Sequence, residues 1–387
     1  MTINEQIANG SERIVLSENT KENVVIPADK EIIIDLAGFR LENDITDGAN
    51  EYTITNHGTL TVMDSAGTGE VYNAGTKMKG CIVNLKGGIV NINGGKWWTD
   101  APRTTGAWYY IVNMGVLMTI NYADVPGVAP NASTIRNGFY TDEEKQENYV
   151  EGQYPKLVIN DGTFTGQLIP VKNDEGGDLE INGGTFEGPS EAVLNWNIGK
   201  IAGGTFKAPE DKYCIFSGAY TNDMSEGKLD VTGGTFIGGK GIRDLTPQYA
   251  PEKVDTAYNY VTGGKWEVTD KTTVTEFIKP GYEAEFDEDG NLIVKAEKEW
   301  TYPEGGVAGM GFMSLKRVVI HNDTVEYTAG GFDQPVRNFS PLCIIGCMAE
   351  GGCDAYYNKE TKKILLYRNG AEINERLKDV TIVMIGQ

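Results

Sequence analysis

The 387-residue chain has few histidines, cysteines and prolines: 2 His, 5 Cys and 14 Pro. With so few histidines, serine-type nucleophilic catalysis has almost no side chain to serve as its general base. No apolar run approaches the roughly 18 residues that a transmembrane helix needs. We therefore expect neither a histidine-based hydrolase nor membrane insertion.

Cysteine usage and the N-terminus both bear on where the chain folds. Cysteines at 81, 214, 343, 347 and 353 are too few for a small disulfide-stapled fold, and their odd number predicts mostly reduced thiols. The opening MTINEQIANGSERIVLSEN has no basic region followed by an apolar one, so no secretory signal is expected. Both observations predict folding in a cytoplasm.

Positive charge is also scarce. The chain has 34 Lys and Arg against 55 Asp and Glu, a net charge of −21. Such an acidic surface repels nucleic acids and anionic membranes, which argues against both as partners. The charge keeps a large assembly soluble but identifies no substrate.

What the chain has in excess is glycine, with 49 residues, much of it in a recurring phrase. DLEINGGTFEG, which starts at Asp178, has close copies in KLVINDGTFTG, GKIAGGTFKA, KLDVTGGTFIG, YNYVTGGKWEV and IVNINGGKWWT. The aromatic residues of these phrases are Trp97, Phe164, Phe186, Phe206, Phe236 and Trp266. The last five recur at intervals of 22, 20, 30 and 30 residues, while a gap of 67 after Trp97 leaves room for unrecognised copies. A period of about 20–30 residues indicates a solenoid or an array.

Each phrase alternates apolar and polar residues, as in Leu179-Glu180-Ile181, which is typical of a strand with one buried face. The Gly-Gly pair that follows suits a sharp turn. No segment between the copies shows a helical stripe with caps. The pattern predicts an all-β protein, a parallel β-helix in which the six phrase aromatics form the core of the repeat corners. The alternative, that each Gly-Gly-Thr-Phe is a ligand-binding loop, is less favoured.

The organisation predicted from these signals has two domains. Residues 1–296 form the β-helix, with coils from about 10 to 268 and a capping hairpin at about 273–296. Asp289-Gly290 marks the hairpin turn between two alternating runs. Residues 297–387 lack the phrase and have strand-like runs at 317–320, 363–367 and 380–385, which predicts a small compact β-rich domain.

A polar, turn-rich stretch at about 123–154 interrupts the repeats and predicts a long inserted loop. Aromatic residues are concentrated in and before it, and such residues stack on sugars or anchor protein interfaces. A subunit contact, a glycan-binding surface and a passive loop all remain open for this stretch. The candidate contact residues are Trp98, Trp108, Tyr109, Phe139, Tyr140 and Tyr149.

The sequence offers little for catalysis or metal binding. Cys343, Cys347 and Cys353, with His321 upstream, lack the usual zinc spacing, and LCIIGCM favours a core strand over a metal site. His57 lies in a predicted turn. Glu180 and Asp230 occupy equivalent outward positions but are separated by an intervening coil, so they make a poor catalytic pair. We predict no catalytic residue, no metal site and no cofactor.

VVIPADKEIIIDLAGFRL, NHGTLTVMDSAGTGEV, the Gly-Gly-Thr-Phe series and FIKPGYEAEFDEDGNLIV resemble the right-handed β-helix modules of bacterial and phage surface proteins. The C-terminal part, with its ending VTIVMIG, is similar to small β domains of tailed-phage head proteins. The resemblance implies a virion structural protein of the head decoration or head fibre type. It would assemble in the host cytoplasm as a homotrimer, bind the major capsid protein or another virion protein through residues 297–387, and be exposed on the particle surface, with weak adhesion to host or mucosal glycans.

Two other functions stay open at this stage. A tail-spike receptor-binding protein or polysaccharide depolymerase predicts an acidic cluster in a groove. A bacterial surface adhesin predicts a signal peptide or a cell-wall sorting signal, and neither is found in the sequence.

Overall fold

The computed structural model describes residues 1–45, 51–75, 79–100, 108–129, 132–297, 316–326, 332–333, 341–349, 351–368 and 371–386. Its contacts divide the chain into two compact units, Met1–Ala296 and Glu297–Gln387. The boundary expected from the change in sequence pattern lies at the same position.

The elements of the first unit are short strands joined by turns. In chain order they are α1 (Ile3–Ala8), β1 (Arg13–Val15), β2 (Thr20–Lys21), β3 (Val24–Ile26), β4 (Glu31–Asp35), β5 (Arg40–Glu42), β6 (Ile54–Asn56), β7 (Thr59–Met63), β8 (Glu70–Tyr72), β9 (Ile82–Asn84), β10 (Ile89–Trp98), β11 (Trp108–Asn113), β12 (Leu117–Pro126), β13 (Ala132–Asn137), α2 (Asp142–Asn148), β14 (Lys156–Ile159), β15 (Thr163–Thr165), β16 (Val171–Asn173), β17 (Asp178–Ile181), β18 (Thr185–Glu187), β19 (Val193–Asn195), β20 (Ile198–Ile201), β21 (Thr205–Lys207), β22 (Tyr213–Ser217), β23 (Lys228–Val231), β24 (Thr235–Asp244), α3 (Thr246–Tyr249), a 3₁₀ turn (Pro251–Lys253), β25 (Tyr258–Val261), β26 (Lys265–Asp270), α4 (Thr272–Thr275), β27 (Tyr282–Phe286) and β28 (Leu292–Ala296).

The strands belong to one 28-stranded sheet, in which they stack as three parallel columns. The first column runs from β1 and β4 to β23 and β25, the second from β2 and β5 to β26, and the third from β3 and β6 to the end of β24. The long strands β10 and β12 serve the first two columns, and β24 serves the last two. This arrangement confirms the predicted all-β, parallel β-helix fold.

Alternation within each strand places one row of side chains inside. In the first column the inward residues pair in register from coil to coil, as in Ile181 with Ile201 and Ile201 with Val231. These three side chains are fully buried. Stacking like on like therefore builds a continuous core that no single coil forms alone.

The aromatic residues of the recurring phrase stack in the second column. All six are fully buried, and neighbouring rings from Phe164 to Phe236 lie 4.9–5.0 Å apart and nearly parallel. Trp266 continues the stack at 3.8 Å from Phe236. In the long gap after Trp97, one coil carries Val125 at the equivalent position, so its copy of the phrase has no aromatic residue.

The two glycines of the Gly-Gly pair in GKIAGGTFKA have different roles. A side chain at Gly203 would place its Cβ 2.3 Å from the carbonyl oxygen of Asn182 in the preceding coil, so this position requires the absence of a side chain. Gly204 has φ +103°, a left-handed conformation that glycine adopts without steric cost. The Gly-Gly pair is therefore a packing requirement of the corner.

A ladder of buried asparagines closes the third column at the ends of its strands. Each Nδ2 donates to the Oδ1 of the next coil, in the order Asn56, Asn84, Asn113, Asn137, Asn173 and Asn195, at 2.7–2.9 Å. Ser217 accepts the last of these hydrogen bonds at 3.1 Å. The same amides also donate to backbone carbonyls at the corner, so the ladder satisfies buried polar groups that the turn would otherwise leave unpaired.

Both ends of the coil stack are covered. Helix α1, which the sequence pattern did not predict, buries Ile3 and Ile7 against the first coils. At the other end β27 and β28 form the predicted hairpin, and β28 pairs antiparallel with β26 through Trp266 and Leu292. The hairpin thereby pairs an edge strand that would otherwise be open to other chains.

The predicted inserted loop at 123–154 is only partly correct. Residues 123–126 belong to β12 and residues 132–137 to β13, a strand buried at every position. Only residues 138–155 leave the coil, and they contain α2, whose N-terminus is capped by Thr141. The polar, turn-rich sequence predicted a loop because the inward residues of this coil are small or β-branched and give a weak strand signal.

The second unit consists of two antiparallel sheets with their own core. Its strands are β29 (Lys316–Glu326), β30 (Phe332–Asp333), β31 (Pro341–Met348), β32 (Asp354–Asn358), β33 (Lys363–Arg368), β34 (Ala371–Glu372) and β35 (Arg376–Gly386). The sheet orders are β29-β35-β31 and β30-β33-β32, with β34 on β33. The C-terminal strand lies at the centre of its sheet, with Ile382 and Met384 fully buried.

A disulfide joins Cys347 to Cys353, so the expectation of reduced thiols is wrong for this pair. A short sequence separation and a turn bring the two thiols together, and both side chains pack against the core of the second unit. Cys81 and Cys214 are buried in the β-helix, where they behave as small apolar residues.

Candidate functional site

Several segments leave the coils at one corner, directly after the asparagine ladder. Residues 138–155 follow Asn137 and residues 174–177 follow Asn173. Two further segments follow Ser217 and Asp244, and their lengths lie between those of the first two. Because the strands before them are in register, these segments emerge side by side. They form the walls of a cleft on one side of the β-helix.

The cleft has a volume of about 740 Å³, within the range of ligand-binding pockets in proteins. Aromatic and acidic side chains dominate its lining. The lining residues are Phe139, Tyr140, Thr141, Asp142, Glu143, Lys172, Asp174, Glu175, Trp196, Tyr220 and Tyr249.

Three aromatic rings from successive coils form one wall. The Trp196 ring lies 5.3 Å from that of Tyr220 and 5.2 Å from that of Tyr249, and the two tyrosines are 5.5 Å apart. Tyr220 is exposed, and the other two are half-buried. We call these three residues the aromatic wall.

A buried charge network supports the floor of the cleft. The Lys172 ammonium lies 3.0 Å from Asp174 Oδ1 and donates to the Tyr109 hydroxyl at 3.3 Å. Beside it, the Arg136 guanidinium lies over the Tyr109 ring and pairs with Glu144 of α2 at 2.7 Å. The ion pairs hold α2 and the strands of the third column in a fixed arrangement.

Asp174 is the unusual member of this network. Asp174 is 4% exposed and lines the cleft. Its Oδ2 atom nevertheless has no hydrogen-bond partner among the described residues. Burial raises the pKa of Asp174, and the neighbouring Lys172 and Arg136 only partly oppose this effect. A buried carboxylate oxygen without a partner is costly, so a ligand hydroxyl or amine that reached Oδ2 from the cleft would supply a hydrogen bond that this oxygen otherwise lacks.

The cleft is also electrostatically one-sided. Asp142, Glu143, Asp174 and Glu175 line it, and Lys172 is the one cationic residue among its lining residues. Burial raises the pKa of Glu175 as well. The site therefore offers hydrogen-bond acceptors and repels anions.

The predicted contact residues divide between this cleft and other places. Tyr140 is exposed and lines the cleft. Tyr109 and Phe139 were expected to be surface contacts, but they are 5% and 1% exposed and belong to a small apolar cluster, from which Phe139 also reaches the lining of the cleft. Tyr149 packs edge-on against Phe139.

Trp98 lies on a different side of the coils. Its ring packs against Tyr72 at 4.9 Å, with the Arg40 guanidinium over both rings. The backbone of Trp108 belongs to β11, and its side chain lies outside the described part of the structure. Trp98 does not line the cleft.

The aromatic wall was missed in the sequence because its members follow strands at unequal distances. Each stands in a polar turn segment directly after the third column, in NWN, GAYTND and TPQYAP. An aromatic residue in such a turn, repeated over three successive coils, is the signal that was present.

A second cleft of about 510 Å³ lies beside Asp64, Lys96 and Asp124. The Asp64 carboxylate there already accepts hydrogen bonds from the backbone of Gly38 and Gly69, at 2.9 and 2.6 Å. This carboxylate stabilises turns of the β-helix, so the cleft at the aromatic wall is the stronger candidate.

Metal and paired-carboxylate chemistry find little support elsewhere. The part of the chain that the structure describes contains no group of three His, Cys, Asp or Glu side chains suited to a metal ion. Cys347 and Cys353 are bonded to each other, which rules them out as ligands. Lys200 stands between Glu180 and Asp230 in register, as expected, and pairs with Glu180 at 3.7 Å. His57 lies in a bend between β6 and β7.

Comparisons with known proteins identify no relative: no family model, curated protein or solved structure matches the chain. Among the described helices, none is long and apolar enough to cross a membrane.

Proposed function

We propose that this chain is a structural protein of a tailed-phage particle, displayed on the head as a decoration or fibre protein, whose β-helix binds glycans. The observation that carries the glycan part is a cleft lined both by the aromatic wall and by Asp174, whose buried Oδ2 has no hydrogen-bond partner among the described residues. Aromatic faces and hydrogen-bond acceptors together are the usual means by which proteins hold sugars.

The display role draws its support from the sequence. The recurring phrases resemble β-helix modules of phage and bacterial surface proteins, and residues 297–387 resemble small domains of phage head proteins. In this proposal the second unit attaches the protein to the capsid as a homotrimer, and the β-helix faces the surroundings. A coil stack covered at both ends suits a protein exposed to proteases.

Co-sedimentation with empty heads of the phage that carries the gene tests the display role. We expect the full chain to pellet with the heads and residues 1–296 to stay in the supernatant, with circular dichroism showing that the shorter chain retains its β-sheet. Pelleting of both chains would place the attachment surface on the β-helix. If neither chain pellets, the head location is wrong.

A second candidate function is a glycan depolymerase, and the acidic lining of the cleft favours it. Glycoside hydrolysis uses a pair of carboxyl groups, one of them an acid with a raised pKa. Asp174 has a raised pKa, and Asp142, Glu143 and Glu175 line the same cleft. Size-exclusion chromatography of polysaccharide incubated with the full chain separates the two functions. Shortened chains that Asp174→Asn abolishes would establish the enzyme, whereas unchanged chains leave adhesion.

A further inference from the structure

We infer that the cleft selects neutral pyranose sugars over anionic ones, with Asp174 as the hydrogen-bond acceptor for a sugar hydroxyl and the aromatic wall as the stacking surface. This inference rests on the proposed glycan-binding function and adds the class of ligand. It follows from three properties of the cleft: the shape of the aromatic wall, the state of Asp174 and the balance of charge.

The rings of the aromatic wall pack mainly edge to face: Trp196 stands at 61° to Tyr220 and at 80° to Tyr249. The three rings contact one another, with centroids 5.2–5.5 Å apart. A cage for an organic cation needs rings spread around the cation, each within about 6 Å of it, and rings in mutual contact leave no such space. The Tyr220 ring, which is 40% exposed, offers the face on which the flat C–H side of a pyranose ring can stack.

Asp174 supplies directional recognition beside that surface. The Lys172 ammonium pairs with Asp174 Oδ1, while Oδ2 has no hydrogen-bond partner among the described residues. The carboxyl group is held by a buried network and cannot rotate into water, since its side chain is 5% exposed. A hydroxyl on the edge of a stacked sugar is the donor that completes this arrangement without bringing a charge into the cleft.

Charge decides which sugars enter. Four carboxyl groups line the cleft, and its one cationic lining residue, Lys172, is already paired with Asp174. Lys145 and Lys253 act on Glu175 from nearby but do not line the cleft. Uronic, sialic and sulfated sugars would therefore place their anions next to unpaired carboxylates, at close range and partly shielded from water.

Binding measurements on the full chain test the inference. The probes are neutral tetrasaccharides of glucose, galactose, mannose and N-acetylglucosamine, and the anionic oligosaccharides of hyaluronan and polysialic acid. Trp196 is half-buried in the wall, so tryptophan fluorescence and calorimetry both report on binding. We expect at least one neutral probe to bind, and every anionic probe to bind at least tenfold more weakly.

Variants locate the binding. Trp196→Ala and Asp174→Asn should each weaken the neutral probe tenfold or more. Trp98→Ala, which removes a half-buried tryptophan outside the cleft, should change affinity less than twofold. Because Asp174→Asn also removes the partner of Lys172, Tyr220→Ser provides a change in the wall that leaves the charge network intact. Thermal unfolding confirms that each variant is folded.

Each outcome decides a different statement. Anionic probes that bind as tightly as neutral ones would overturn the ligand class and leave glycan adhesion standing. Neutral binding that persists in Trp196→Ala, Tyr220→Ser and Asp174→Asn would overturn the cleft as its location. If no probe of either class binds, both the inference and the glycan part of the proposed function fail, while attachment to the head stands or falls on co-sedimentation.

Discussion

At the scale of single residues, the asparagine ladder shows how a polar side chain stabilises an apolar interior. Asn137 accepts from Asn113 at 2.8 Å and donates to Asn173 and to the carbonyl oxygens of Pro155 and Asp178 at 2.9–3.1 Å. Each amide thus satisfies its neighbours above and below as well as the backbone of the turn. Loss of one amide leaves several buried groups unpaired.

We predict that Asn137→Ala lowers the free energy of unfolding of the β-helix by about 3 kcal/mol, because buried partners lose their hydrogen bonds. The matched control is Asn121→Ala, in an exposed ladder where Asn121 donates to Asn93 and accepts from Asn160 at 2.7–2.8 Å. Water replaces those bonds, so the control should cost less than about 0.5 kcal/mol. Urea denaturation of both variants measures the difference, and equal losses would show that burial of the ladder is unimportant.

At the scale of elements, the aromatic stack sets the stability of the second column. Phe206 is fully buried between Phe186 and Phe236, with ring centroids 5.0 and 4.9 Å away. We predict that Phe206→Ala lowers the free energy of unfolding by about 3–5 kcal/mol, the usual cost of a large core cavity. Phe286→Ala is the control, since Phe286 is 64% exposed in the capping hairpin and should cost less than about 0.5 kcal/mol. Thermal and chemical denaturation should rank the two variants in this order.

The turn of the capping hairpin depends on an ionised carboxylate. Hydrogen bonds from the backbone and side chain of Asn291, with the Lys265 ammonium, lower the pKa of Asp287 to about 2. Because the pKa in the unfolded chain is higher, at about 3.9, the carboxylate stabilises the folded hairpin above that pH. The stabilisation is lost as the pH falls through the folded value of about 2.

We therefore predict that carbon-13 NMR shows Asp287 titrating near pH 2, and that Asp287→Asn abolishes the part of the acid destabilisation lying between about pH 4 and pH 2. Asp289→Asn, in the same turn, is the matched control and should leave the acid transition unchanged. A midpoint for Asp287 at the value of a free aspartate would mean that the turn does not hold the carboxylate.

How far the elements could be predicted depended on whether their signal repeats. The alternating strands recur in every phrase and the Gly-Gly corner in five of the six, so the columns followed from the sequence, and the Asp289-Gly290 turn indicated the capping hairpin. Third-column strands also end in a common residue, as in IVN, TIRN, PVKN and VLN, but they stand at varying distances from the phrase aromatics. Alignment on Phe186 and its equivalents therefore did not bring the ladder into register.

The cleft could not be predicted for a related reason. Trp196, Tyr220 and Tyr249 come from segments of unequal length, and only the stacking of coils brings them together. That Asp174 Oδ2 has no hydrogen-bond partner among the described residues depends on its burial and on the position of Lys172, neither of which a local pattern records. The aromatic residues that did attract attention, Tyr109 and Phe139, belong to a small buried apolar cluster.

At the scale of the whole molecule, the chain has two units with separate cores, and only the second contains a disulfide. We predict that Cys347→Ser with Cys353→Ser lowers the stability of the second unit by about 2 kcal/mol, the contribution expected from a short closed loop. The unfolding of the β-helix, followed by the fluorescence of its tryptophans, should not change. Differential scanning calorimetry with and without reductant gives the same comparison on the unmodified chain, and a shift of both transitions would contradict it.

The corner at which the cleft forms has a consequence for how such a protein can vary. Stability resides in the asparagine ladder, and the candidate binding surface resides in the residues that directly follow it, such as Trp196 after Asn195 and Asp174 after Asn173. Segments after the ladder can therefore differ in length from coil to coil while the ladder stays in register, as residues 138–155 and 174–177 already do. Those segments that take no part in the buried ion pairs are where a designer can graft new loops onto the β-helix.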